Sequence, residues 1–240
     1  MSDHDFRFGD AACRALAVGA LWLPDHRLLV VSDLHLGKAD RIARREGRLT
    51  PPYEVTETLT RLADLVALHA PAVVICLGDS FDGPDGAARL TPAARHDLAA
   101  LMAGRRWIWI AGNHDPAPMG LGGEYRASVT FGDTTFRHVA ETAAKDISGH
   151  YHPKAWVRGR GRPAFVVDSH RVILPAFGTY TGGLDVCDPV FDPLFGPNAL
   201  VLMTGRRIIA APRAGLLASA ERRKRAPMRP AVAAPFRTGA

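Results

Sequence analysis

Cysteine is scarce in this chain: Cys13, Cys76 and Cys187 are widely spaced and odd in number. That excludes a disulfide framework and a cysteine-based zinc site, and it points to a reducing compartment. Long apolar runs are also missing, and none reaches the length of a membrane span. The start, Met1-Ser2-Asp3-His4-Asp5, is acidic and lacks the basic head and apolar stretch of a secretory signal. A cytoplasmic protein with no membrane partner is the expectation. No internal repeat and no polar linker divides the chain. Charge is lopsided: residues 221–240 hold six Lys or Arg against one acid, +5 of the net +6. A basic, disordered tail over 216–240 is therefore expected, with a short helix before Arg222, behind one domain over 1–215.

What is present is ordinary core material, 47% hydrophobic residues against 22% charged. It is arranged in a repeated form: an apolar run, then an abrupt change to ligand-capable side chains. Leu28-Leu29-Val30-Val31 reads as a buried strand and leads into Ser32-Asp33-Leu34-His35. If the chain stays extended, Asp33 and His35 project to one side. Helical spacing runs through Val55, Leu59, Leu62, Leu65 and Val66. A strand over 72–77 then ends in Gly78-Asp79. Thr91-Pro92 opens another helix to about Met102, with threonine as cap and proline in the first turn. The strand Trp107–Ala111 ends in Gly112-Asn113-His114-Asp115. Strand and helix alternate, which argues for a parallel α/β layer with its chemistry beyond the carboxyl ends of the strands. Beyond Gly120 short strands dominate: Tyr125–Phe131, Thr134–Val139, Ile147–Pro153, and then pieces as far as Ile209. These suggest a second, mostly antiparallel sheet in the same domain.

The strand-end residues are Asp33, His35, Asp79, Asn113, His114, His138, His150 and His152. They include five of the ten histidines. Imidazole, carboxylate and amide oxygen together suit Mn, Fe or Zn better than Ca or Mg. Two such ions side by side need a bridging anion, which a carboxylate supplies and an imidazole does not. A site of that kind activates water for attack on phosphorus.

These motifs, Asp33-Leu34-His35, Gly78-Asp79-Ser80-Phe81-Asp82, Gly112-Asn113-His114-Asp115, His138 and Gly149-His150-Tyr151-His152, resemble the calcineurin-like metallophosphoesterase family. The resemblance implies a four-layer α/β/β/α sandwich with two mixed sheets and two divalent ions, manganese foremost. It implies that Asp33, His35 and His152 hold the first ion and that Asp79 bridges. Asn113, His138 and His150 complete the second. His114 contacts the phosphate and helps protonate the leaving oxygen, with Asp82 orienting it. The arginine that often follows Asp82 in the family is missing, since Gly83-Pro84 stands there. Lys38, Arg41 and Arg126 are its candidate substitutes.

A narrower resemblance, to the ligase-associated DNA damage response endonuclease family, rests on Asp33–Ala39, Pro51-Pro52-Tyr53, Gly149–Pro153 and Leu174-Pro175-Ala176-Phe177-Gly178-Thr179-Tyr180-Thr181-Gly182-Gly183. It implies manganese-dependent cleavage of DNA phosphodiesters beside an ATP-dependent DNA ligase, a helicase and an exonuclease. Among the residues, Lys38, Arg41, Arg158, Arg160 and Arg162 are candidates for phosphate contact, the last three in an Arg-Gly turn. Phe177, Tyr180 and Tyr151 are candidate faces for unstacked bases; the alternatives are a core position for Phe177 and a merely solvated Arg-Gly turn. The alternative substrate is a small-molecule or lipid-linked phosphoester, which an exposed apolar lid would favour.

Overall fold

The computed structural model describes residues 2–47, 51, 53–118, 120–142, 145–157 and 159–225. A seven-stranded sheet runs in chain order through β1 (His4–Phe8), β2 (Ala11–Ala15), β3 (Leu21–Leu23), β4 (Leu28–Val31), β5 (Val73–Cys76), β6 (Arg106–Ile110) and β7 (Glu124–Arg126). The first four pair antiparallel, and β4 through β7 pair parallel. Three helices serve this half: α1 (Lys38–Glu46), α2 (Glu54–His69) and α4 (Pro92–Met102), with the short α3 (Gly86–Arg89) between the last two. Thr91 caps α4 as expected, its hydroxyl accepting the Ala94 N–H at 3.2 Å.

The second sheet contains β8 (Ser128–Phe131), β9 (Thr134–Arg137), β10 (Asp146–Ser148), β12 (Arg160–Val167), β13 (Arg171–Ile173), β14 (Leu200–Met203) and β15 (Ile209–Pro212), and β11 (Lys154–Val157) pairs with β12. It is mostly antiparallel, as expected, and mixed because β10 lies parallel to both β9 and β13. The run Tyr125–Phe131, expected as one strand, is two: β7 closes the edge of the first sheet and β8 opens the second. The chain changes sheets at Ala127.

Every residue of β4 is buried, and alternation explains why four consecutive apolar residues are needed. Leu28 and Val30, with Ile75 and Ile108, face the second sheet and pack with Phe136, Ile147, Phe165 and Val172. Leu29 and Val31, with Val74, Cys76, Trp107 and Trp109, face α2 and α4 through Leu59, Leu62, Leu65 and Leu98. The far side of the second sheet is covered by Val186, Phe191, Leu194 and Phe195 and by Leu216 of α5 (Arg213–Arg225). The short helix expected before Arg222 is α5, which runs on to Arg225; 226–240, the rest of the expected tail, lie outside the described residues. Arg213 anchors the helix, its guanidinium buried against the carbonyls of Val186 and Phe195 and paired with Asp192 at 2.7 Å. No described helix is long and apolar enough to cross a membrane.

Ile108 is fully buried where the two sheets meet. Ile108→Ala is expected to lower unfolding free energy by about 2–5 kcal/mol, read from urea denaturation.

Candidate metal centre

The strands β4, β5 and β6 stop together, and the segments beyond them stay side by side. The N–H groups of Asp33, His35 and Leu36 donate to the carbonyls of Gly78, Asp79 and Ser80 at 3.2, 2.9 and 2.9 Å. His138 follows β9, and His150 and His152 follow β10, so the second sheet delivers its imidazoles to the same edge. The expected extended geometry at Asp33 does not occur. Asp33, His35, Asp79, His150 and His152 all take left-handed backbone, with φ of 52, 45, 47, 68 and 46°. Only two other non-glycine residues among those described do so. Such a conformation costs on the order of 1–2 kcal/mol per residue. Its concentration here marks a site whose surroundings impose the geometry. The side chains converge because the chain turns back at each position, not because it continues as a strand.

Three groups of ligand atoms result, each within 4.8 Å: Asp33, His35 and His152; His35, Asp79 and His114; Asp79, His138 and His150. Asp79 stands in the middle. Its Oδ2 lies 3.5 Å from His138 Nε2 and 4.0 Å from both His35 Nε2 and His114 Nε2. Its Oδ1 accepts the His114 backbone N–H at 2.8 Å. Burial raises the Asp79 carboxyl, but hydrogen bonding and charge from His138, the His114 N–H and His35 outweigh it and hold it well below the usual range. Burial likewise opposes ionisation of Asp33, and His152, His138 and Ser32 reverse that effect. Burial lowers His35 and His150, keeping neutral, lone-pair-bearing imidazoles.

The donor set passes a direct test of fit. Asp33 Oδ1, His35 Nε2 and His152 Nε2 are buried with no hydrogen-bond partner among the described residues, and their three residues form one ligand group. His152 Nε2 comes within 3.0 Å of Asp33 Oδ1 but outside hydrogen-bond geometry. Buried polar atoms left unpaired are costly. A divalent ion satisfies all three at once, and imidazole with carboxylate is a transition-metal donor set.

Partners behind these atoms fix their aim. The second oxygen of Asp33 is occupied by the Ser32 hydroxyl and by the His150 N–H at 3.0 Å, which leaves Oδ1 facing inward. His138 Nδ1 meets the Leu77 carbonyl at 2.8 Å, so that nitrogen carries the proton and Nε2 faces Asp79. Asp82 departs from its expected role. Its Oδ1 lies 3.0 Å from His35 Nδ1 but 3.9 Å from His114 Nδ1, and its Oδ2 pairs with Arg41. It orients His35 rather than His114. Burial raises its carboxyl, and the bonds from His35 and Arg41 carry it down to about 2.

Asp115 was not singled out from the sequence, although it ends the Gly112–Asp115 motif. It is buried and accepts four backbone N–H groups: Asp79 at 3.0 Å, Ser80 at 2.7 Å, Phe81 at 3.2 Å and Gly112 at 3.1 Å. Burial and the nearby Asp79 charge outweigh those bonds and push its carboxyl up to about 6. This side chain, together with the His114 N–H on Asp79 Oδ1, pins the loop beneath Asp79 to the loop of His114. The approach is close enough that a Cβ on Gly112 would sit 2.1 Å from the Asp79 nitrogen.

Around the rim the expected contacts separate. Asn113 is exposed and shares the lining of one cavity with His138. His114 has 39% of its side chain exposed, facing outward beside Asp79. Lys38, first in α1, is half-buried and has no acid in ion-pair range among the described residues. The Arg41 charge is engaged by Asp82, and Arg126 pairs with Glu124 at 3.1 Å. Arg160 and Arg162 stand on β12; Arg158 lies outside the described residues. Phe177 is 1% exposed and covered by the Arg61 guanidinium, so it offers no base-stacking face. Tyr151 packs on Phe191, and the Tyr180 hydroxyl donates to the Pro51 carbonyl at 3.1 Å.

Asp115→Ala leaves four backbone donors without their acceptor. The expected outcome is a loss of about 3 kcal/mol or more in unfolding free energy, together with reduced metal content by elemental analysis.

The model of the family described as calcineurin-like phosphoesterase matches residues 26–191, a span that contains every strand-end residue named above. No curated protein matches the chain. Among solved structures, the crystal structure of Pseudomonas putida nuclease MPE aligns with a TM-score of 0.72 at 26% identity, covering 88% of this chain and 100% of that one. Two mixed sheets, ligand groups at their shared edge and a family match over most of the chain agree: this protein belongs to the calcineurin-like phosphoesterase family and is a metal-dependent phosphoesterase.

Proposed function

We propose that the protein is a phosphodiesterase that cleaves DNA, in single-stranded or unpaired regions, as part of DNA repair. The observation that carries the chemistry is the orphaned trio of Asp33 Oδ1, His35 Nε2 and His152 Nε2 next to a carboxylate shared by two further groups. Asp33, His35 and His152 would hold one ion and His138, His150 and Asn113 a second, with Asp79 common to both. Divalent ions bound there, manganese by preference, supply Lewis acidity and a water activated at neutral pH.

The chain's own residues do the rest. Asp82 and the Leu77 carbonyl fix the tautomers of His35 and His138, so the ligand nitrogens are aimed before any ion arrives. His114 is held by its own N–H on Asp79 but keeps its ring exposed at the rim. It meets a phosphate oxygen and delivers a proton to the departing alkoxide. Its place outside the buried trio suits contact with substrate better than ligation.

The DNA reading is supported by the narrower sequence resemblance, by the nuclease activity named for the Pseudomonas putida protein, and by basic charge collected near the carboxyl terminus. The partners that follow are DNA and, through that resemblance, an ATP-dependent DNA ligase, a helicase and an exonuclease.

Metal-free protein with manganese added back, given circular single-stranded DNA and bis-p-nitrophenyl phosphate in parallel, tests this. Nicking of the circle is expected alongside ester hydrolysis. Hydrolysis of the small ester without any nicking overturns the DNA assignment. His114→Ala should lower turnover about 10²- to 10⁴-fold with metal content unchanged. Loss of metal in that variant would make His114 a ligand.

A further inference from the structure

Strand β11 starts two residues after His152 and leads away from the metal centre. Ala155 is fully buried beneath it, so Lys154 and Trp156 project from the outer face. Trp156 is 46% exposed, whereas Trp22, Trp107 and Trp109 are buried. Gly161 stands directly opposite it across the ladder. The indole lies over this glycine, where a Cβ would come within 3.3 Å of the ring. Glycine therefore holds the ring flat on one side and leaves its other side to solvent. Arg162 and Arg160, opposite Ala155 and Val157, project from the other face of the hairpin. Arg160 and Arg162 are therefore on the side away from the exposed indole.

Lys154 is positioned rather than free-swinging. Its ammonium donates to the Thr181 carbonyl at 3.0 Å, and its stem passes Gly183 so closely that a Cβ there would lie 3.0 Å from Cε. The distinctive Phe177–Gly183 segment, itself tied to the Ser32 and Asp33 carbonyls through the Phe177 and Gly178 N–H groups at 2.8 and 3.1 Å, thus sets this lysine beside the centre. Among the described residues, neither Lys154 nor Lys38 has an acid in ion-pair range. Lys38 donates its backbone N–H to the His35 carbonyl at 3.2 Å and Lys154 follows His152 by two residues, so the two lysines flank the ligand group that contains both imidazoles. Two lysines flanking one ligand group offer a socket to an anion. Along the strand, Trp156 stands about 6.8 Å beyond Lys154, within the reach of one extended nucleotide.

We infer that Lys38, Lys154 and Trp156 form a track for the single-stranded nucleic acid flanking the scissile phosphodiester. The two ammonium groups take the adjacent phosphate, and the indole stacks the base beyond it. This inference rests on the nucleic-acid reading above and names the residues that would make the enzyme prefer a polymer over a lone ester.

Fluorescence anisotropy of labelled oligothymidylate with metal-free protein tests it without cleavage. Trp156→Ala is expected to weaken binding about 5- to 150-fold, the range for loss of one base stack, while Trp156→Phe retains most of it. Lys154→Ala is expected to reduce the slope of log affinity against log salt by about 0.7. With manganese restored, Trp156→Ala should raise KM for oligonucleotide cleavage and leave hydrolysis of bis-p-nitrophenyl phosphate unchanged. Wild-type affinity in Trp156→Ala overturns the track while leaving the nuclease reading intact. Trp156-dependent binding to phosphatidylglycerol vesicles, without an effect on oligonucleotide, overturns it in favour of a lipid-facing surface. Wild-type protein that hydrolyses the small ester but neither binds nor cuts polynucleotide overturns the nucleic-acid reading, and the track with it.

Discussion

The carboxylate of Asp79 is buried among the imidazoles of His35, His114 and His138, and its two oxygens do different things. One is fixed by the His114 N–H at 2.8 Å, and the other faces three ring nitrogens between 3.5 and 4.0 Å away. A charge in that position needs its backbone held still. Asp115 does this from behind by collecting the N–H groups of Asp79, Ser80 and Phe81 together with that of Gly112. The centre is therefore two carboxylates deep, one facing the ligand groups and one facing the main chain.

Rigidity is supplied by the sheets and consumed at their edge. β4, β5 and β6 are buried on both faces, and the segments beyond them remain hydrogen-bonded to one another after the strands proper have ended. That stiffness lets five ligand-bearing residues persist in left-handed backbone, which a loosely held loop would relax. Packing energy from the core is in this sense converted into the aim of side chains.

The apolar strands and the residues that follow them were legible because two-sided burial needs unbroken hydrophobic runs, and polar side chains at their ends then stand out. Which oxygen or nitrogen meets which partner was not. Asp82 lies 47 positions from His35 and 32 from His114, and nothing in spacing says that it serves the former. Local turn geometry was equally hidden: Asp33 and His35 read as alternate residues of an extended strand, yet both are left-handed. The break at Ala127 escaped notice because the residues on either side suit a strand, and only the presence of two sheets divides them. Phe177 read either as a stacking face or as core, and it is core; the Arg61 guanidinium that covers it is remote in sequence. Trp156 gave no signal, since its exposure depends on a glycine across the hairpin.

The crossing at Ala127 has a further meaning. Ala111 donates its N–H to Arg126 at 2.8 Å just before the chain passes over, and Ala127 and Ser128 line the same cavity as Asn113 and His138. The chain is thus sewn from one sheet to the other beside the ligand groups, and each sheet contributes only part of any pair of adjacent groups. Of the three groups, His35–Asp79–His114 comes from the first sheet alone, whereas the other two draw on both sheets. Those two groups exist only where the sandwich is closed, along the seam between its layers.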